Sequence, residues 1–148
     1  MKHGLSLVSL SFLLAACHHG SSPPATPPAS SSSSPPTATA QIERGKQLYV
    51  AKCAKCHGDA GQGTDKGPVV VGKDAFPEAP RTGAKRDVPF KTAADVFAWA
   101  TKHMPGDAPA SLTTDEYLAI FAFDLTANGV KLDQPLDGRA AQAIVLHP

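Results

Sequence analysis

Cys53-Ala54-Lys55-Cys56-His57 places two thiols and an imidazole within one short stretch. The spacing is that of a c-type haem attachment site. Each thiol adds to one of two vinyl groups on the same side of a porphyrin. The adjacent histidine then lies under the ring, where Nε2 can serve as the proximal iron ligand. A bare Cys-x-x-Cys also suits a redox disulfide, half a zinc site or two packed thiols. No second cysteine pair completes a zinc site, and the βαβ pattern of a thioredoxin-like fold is absent. Haem attachment is the favoured chemistry. With no second Cys-x-x-Cys-His, one covalent haem c is expected.

The elements that must position this site read as helices. Ile42, Gly45, Tyr49, Cys53 and Cys56 recur at three- and four-residue steps, which predicts a helix over Gln41 to Cys53 with these on one face. A glycine on that face points to the close approach of another helix. Gly58 to Gly63 is turn-rich, and residues 73–90, punctuated by Phe76, Pro77, Pro80, Gly83 and Pro89, read as loop. Thr92 to His103 reads as a helix capped by Thr92, with Asp95 lending charge to the first turn. Thr113 and Glu116 form a capping-box pattern for a helix to about Thr126, stopped by Asn128-Gly129. A short helix is expected near 138–144.

Met104 is the only methionine besides the initiator, and it follows the helix that ends at His103. Its thioether is a soft ligand that raises the potential of haem iron. His103 is the competing candidate, and a core methionine or an open iron site are the other readings. Arg81, Lys85 and Arg86 are candidate partners for haem propionates or solvated surface charges. Trp99 is a candidate propionate donor or a core residue with its N–H at the surface.

Taken together, the haem motif, the following glycines, Gly67-Pro68, the short apolar run Val69 to Val71 and Met104-Pro105 resemble the class I cytochrome c family. The resemblance covers roughly residues 41–129. It implies a small all-α domain wrapped round one covalently attached haem c, with Met104 as the distal ligand and His57 as the proximal one. The two are 47 residues apart, which suits that family. It further implies that the Pro68 carbonyl accepts a hydrogen bond from His57 Nδ1, and that Ile120 and Phe123 pack against Gly45 and Tyr49. The haem edge bordered by Lys52, Lys55 and Ala60 would be the exposed one, where lysines steer acidic partners. With both axial positions filled and no nucleophile–base pair in view, the expectation is an electron-transfer protein rather than an enzyme. Its partners would be redox proteins: an oxidase, a reductase or a dehydrogenase.

The third cysteine has a separate explanation. Lys2 and His3 precede an apolar run from Leu5 to Ala16, the pattern of an export signal over residues 1–16. Leu14-Ala15-Ala16-Cys17 resembles the lipobox of bacterial lipoproteins, which implies cleavage before Cys17 and its lipidation. The other reading is a plain cleaved signal with Cys17 a stray thiol. The apolar run is short for a membrane-spanning helix. Residues 17–40 carry the anchor and a Ser/Pro/Ala/Thr-rich tether with little surface to bury. Its ends would lie roughly 25 Å apart as a coil and about 70 Å apart as a polyproline helix. The domain follows over 41–129, then an extension over 130–148 that is expected to pack on it.

Only Lys2 is lost with the signal, so the chain from Cys17 has 13 Lys plus Arg against 13 Asp plus Glu. A balance near zero argues against nucleic acid as a partner. Export and lipidation together imply a membrane-tethered carrier on the periplasmic side of a bacterial membrane. Two other function classes stay open: a haem-based small-ligand binder, and an electron-relay subunit of a larger redox enzyme.

Overall fold

The computed structural model describes residues 36–148. The expected export signal, the Cys17 anchor and the tether up to residue 35 lie outside the described residues. Five helices follow in order: α1 Ala38–Lys52, α2 Ala54–His57, α3 Ala93–His103, α4 Thr114–Ala127 and α5 Gly138–Ala143. Among the described residues there is no strand, only an isolated bridge between Thr92 and Val145. The all-α expectation holds.

Helix α1 starts three residues before the hydrophobic pattern predicts. Thr37 Oγ1 accepts from the Ala40 backbone N–H at 3.1 Å, so Ala38 to Ala40 join the helix and not the tether. At the other end the Cys53 N–H donates to the Tyr49 carbonyl at 2.8 Å. The chain then continues almost directly into α2, which holds Cys56 and His57. The caps of α3 and α4 form as their sequences specify. Asp95 Oδ2 accepts from the Thr92 N–H at 2.8 Å, and Glu116 Oε2 accepts from the Thr113 N–H at 2.8 Å.

Helices α1 and α4 cross at Gly45. A Cβ at residue 45 would overlap the Ala119 carbonyl of α4, so only glycine permits this approach. Beside the crossing, the rings of Tyr49 and Phe123 lie 5.3 Å apart at 52°. Tyr49, Ala54 and Ile120 form one small buried cluster. The larger core joins Val96 and Ala100 of α3 to Phe121 and Leu125 of α4. Phe76 and Phe90 also belong to it, although both sit in the loop expected over 73–90.

The extension after α4 is bound to the same core. Leu136 is 2% exposed. Its N–H donates to Gln41 Oε1 at 2.7 Å, and its carbonyl accepts from Gln41 Nε2 at 3.0 Å. Ala141 of α5 is buried, and the Leu146 N–H donates to the Lys91 carbonyl.

Because the obstruction at Gly45 is backbone, it cannot move aside as a side-chain tip would. Gly45→Ala is expected to destabilise the haem-loaded protein by about 1–3 kcal/mol in denaturant unfolding. This outweighs the better helix propensity of alanine. An unchanged midpoint would show that the crossing can open at little cost.

Candidate functional site

Between the α1–α4 pair, α3 and the two long loops lies a cavity of about 740 Å³. Cys53, Cys56, His57, Pro68 and Met104 all line it. Most of the rest of its wall is apolar, including Val70, Phe76, Val96, Ile120 and Phe121. Residues far apart in the chain are thus brought to one chamber. Cys17 lies outside the described residues.

The His57 ring is fixed from behind. Its Nδ1 lies 2.7 Å from the Pro68 carbonyl oxygen. A carbonyl can only accept, so Nδ1 carries the proton and Nε2 keeps a free lone pair. Gly67 is part of this arrangement, because a Cβ there would crowd the His57 ring and the Cys56 carbonyl. The loop that carries Pro68 is pinned to the end of α4. Asn128 Nδ2 donates to the Val70 carbonyl at 2.8 Å, and Asn128 Oδ1 accepts from the Gly72 N–H at 2.9 Å.

Met104 is held by its own backbone. Its N–H donates to the Ala100 carbonyl at 2.8 Å, which closes α3. Its carbonyl accepts from the Tyr117 hydroxyl at 2.5 Å and from the Ala110 N–H at 3.2 Å. The adjacent His103 is exposed. Its ring stacks on Trp99 with centroids 4.5 Å apart, and its Nδ1 bonds the Trp99 carbonyl. Both line the cavity.

Arg86, in the wall of the same cavity, departs from the solvated-charge reading of its sequence. It is only 7% exposed. Nη1 donates to the carbonyls of Glu78 and Val88, and Nη2 to those of Pro77 and Ala79. The guanidinium also lies 3.7 Å above the centre of the Phe90 ring. It is the clamp that orders the loop over 73–90, not a solvated charge. Arg81 also donates to a backbone carbonyl, that of Asp74, but stays exposed at the cavity edge. Six exposed cations border the mouth: Lys52, Lys55, Lys66, Arg81, Lys85 and Lys102. One of them, Lys55, pairs with Asp107 at 3.5 Å. Ala60 is exposed in the turn after α2 and does not line the cavity.

The chemistry of the donors fits an iron porphyrin. An imidazole with a free Nε2 and a thioether are available to the iron. Two thiols lie on the same wall, and the apolar surfaces suit a flat apolar plate. Burial, then Asp124, then Cys56 push the Cys53 thiol up to about 12. Among the described residues, no three His, Cys, Asp or Glu side chains gather as a metal cluster, so the zinc alternative has no ligand set there.

Two residues of the site carried no sequence signal. Tyr117 depends on a partner remote in the chain, and Asp124 on burial. Asp124 is 6% exposed, its Oδ1 is enclosed without a hydrogen-bond partner among the described residues, and burial drives its carboxyl well above the usual carboxylate range.

Comparison with known proteins agrees with this chemistry. Residues 40–123, more than half of the chain, match the family model described as cytochrome c oxidase, cbb3-type, subunit III. A thiosulfate dehydrogenase of Stutzerimonas stutzeri (strain A1501) is 50% identical over 40 residues, which are 24% of this chain and 13% of that protein. The chain therefore matches only a small part of that relative's length. The crystal structure of the sulfane dehydrogenase SoxCD from Paracoccus pantotrophus superposes with a TM-score of 0.55 at 27% identity. The match covers 86% of this chain and 68% of that one.

Proposed function

The chain belongs to the cytochrome c family described as cytochrome c oxidase, cbb3-type, subunit III, and on that premise we propose that it carries single electrons through one His57/Met104-ligated haem. Family membership implies covalently bound haem c. The observation that carries the reading is the convergence of Cys53, Cys56, His57 and Met104 on one cavity, with His57 Nδ1 committed to Pro68.

When bound, the haem supplies one-electron chemistry at iron; the chain governs its surroundings. Cys53 and Cys56 are the thioether positions. His57 offers Nε2, and the Pro68 carbonyl orients the ring and strengthens it as a donor. Met104 offers its thioether from a backbone held at both ends. The apolar wall excludes water, and rigid ligation keeps reorganisation on electron transfer small. The six cations at the mouth suit a redox partner with an acidic docking face, approached through a salt-sensitive encounter.

A second reading rests on the relatives. Both named proteins are dehydrogenases of sulfur compounds. The chain would then relay electrons inside such an enzyme rather than diffuse between partners. Stable co-purification with a dehydrogenase subunit separates this relay from a free carrier.

The export signal, lipidation at Cys17 and the tether complete the proposal: a domain anchored on the periplasmic side of a bacterial membrane. Lipidation is expected to keep the full chain with membranes. Cys17→Ser is expected to release it into the soluble periplasmic fraction, whereas unchanged membrane recovery would contradict the anchor. At the iron, the reduced protein is expected not to bind carbon monoxide at neutral pH, while Met104→Ala binds it readily. Binding by the unaltered protein would favour the small-ligand binder instead.

A further inference from the structure

Asp124 has no part in the ligation described so far, yet it stands in the wall of the same cavity as Cys53, His57 and Met104. It lies on α4 one residue beyond Phe123, which meets Tyr49 across the α1–α4 crossing. Among the described residues its Oδ1 has no hydrogen-bond partner, and it is buried. Native proteins seldom leave a buried carboxyl oxygen unpaired, so an unpaired one calls for a role.

The surroundings narrow that role. From α1 and its cap, the titratable neighbours are Tyr49 and Cys53, and the Tyr49 hydroxyl is already spent on the Gly58 carbonyl at 2.8 Å. From α1, α2 and α3, Lys52, Lys55, Lys102 and His103 reach the same cavity but are exposed. His57 is the proposed iron ligand, and Arg86 of the loop is held by four carbonyls. On α4 itself, Tyr117 gives its hydroxyl to Met104. Among the described residues, Asp124 forms no salt bridge. The charge nearest in kind is therefore that of the cofactor, which differs by one unit between ferric and ferrous iron. In a dry wall such a difference acts strongly on a neighbouring carboxyl.

We propose that Asp124 is the group through which this site couples electron uptake to proton uptake. The inference rests on the haem reading above. In the ferric protein the extra positive charge favours the carboxylate, and in the ferrous protein the neutral acid is favoured. On reduction, the iron gains one electron from the redox partner and Asp124 gains one proton from solvent, so the net charge of the site is unchanged. The sign follows by linkage. A proton bound more tightly in the reduced state makes the midpoint potential fall as pH rises between the two pKa values. Because burial already lifts this carboxyl above the usual range, the window lies above ordinary carboxylate pH.

The test is spectroelectrochemical titration of the haem-loaded protein from about pH 5 to about pH 9, with Asp124→Asn alongside. The wild-type potential is expected to fall across this window, and that of D124N to stay flat. Reduction should also raise a carboxylic-acid band in infrared difference spectra. That band should move when the protein carries isotope-labelled aspartate, which separates it from haem propionates. A flat wild-type potential, a slope that persists in D124N, or a band unmoved by the label overturns the proposal. If D124N does not retain haem, the wild-type slope and the labelled band decide it alone. The visible spectrum of the same samples reports separately on ligation. A normal cytochrome spectrum with a flat potential overturns the Asp124 role only, while a haem-free protein overturns the reading beneath it.

Discussion

Where α1 crosses α4, the Ala119 backbone occupies the space in which any side chain at residue 45 would stand. That contact sets the distance between the two helices, and the cavity inherits its dimensions from it. One turn beyond the crossing, Tyr49 meets Phe123, and its hydroxyl reaches the Gly58 carbonyl just after His57. Helix α4 presents Tyr117, Ile120, Phe121 and Asp124 to the same chamber. A chain of this length has little core of its own, and an apolar plate held between these walls completes it.

The two proposed iron donors are held by different means. His57 is aimed by one short bond from its ring to the Pro68 carbonyl, and the Pro68 loop is tied to α4 through Asn128. Met104 is aimed through its backbone, by the end of α3 and by Tyr117. Both supports trace back to α4. Helix α4 therefore does more than line the cavity: it fixes the placement of both proposed donors.

Much of this was legible in the sequence because it rests on local signals. Cys53, Cys56 and His57 are consecutive chemistry at a fixed spacing. The caps at Thr92 and Thr113 are four-residue patterns. Met104 stands out because no other internal methionine competes. The Gly45 approach was readable from a glycine on an apolar helix face. Other features were not legible, and each has a physical reason. Arg86 looks like any surface arginine until the loop folds four carbonyls around it. Phe76 and Phe90 lie in a stretch without periodicity, so nothing assigned them to the core. Asp124 interrupts an apolar helix face, but its burial and lack of a partner exist only once α1 is packed on α4. The start of α1 was missed because the tether's composition continues into the helix, and Thr37 marks the boundary only by its hydrogen bond.

The central claim is that His57 and Met104 hold one haem iron from opposite sides of this cavity. The most direct measurement is the absorption spectrum of the oxidised protein beside that of Met104→Ala. The account predicts a far-red sulfur-to-iron charge-transfer band in the unaltered protein that disappears in the variant. Absence of that band from the unaltered protein, or its survival in Met104→Ala, would contradict the assignment and return His103 or an open iron site to consideration.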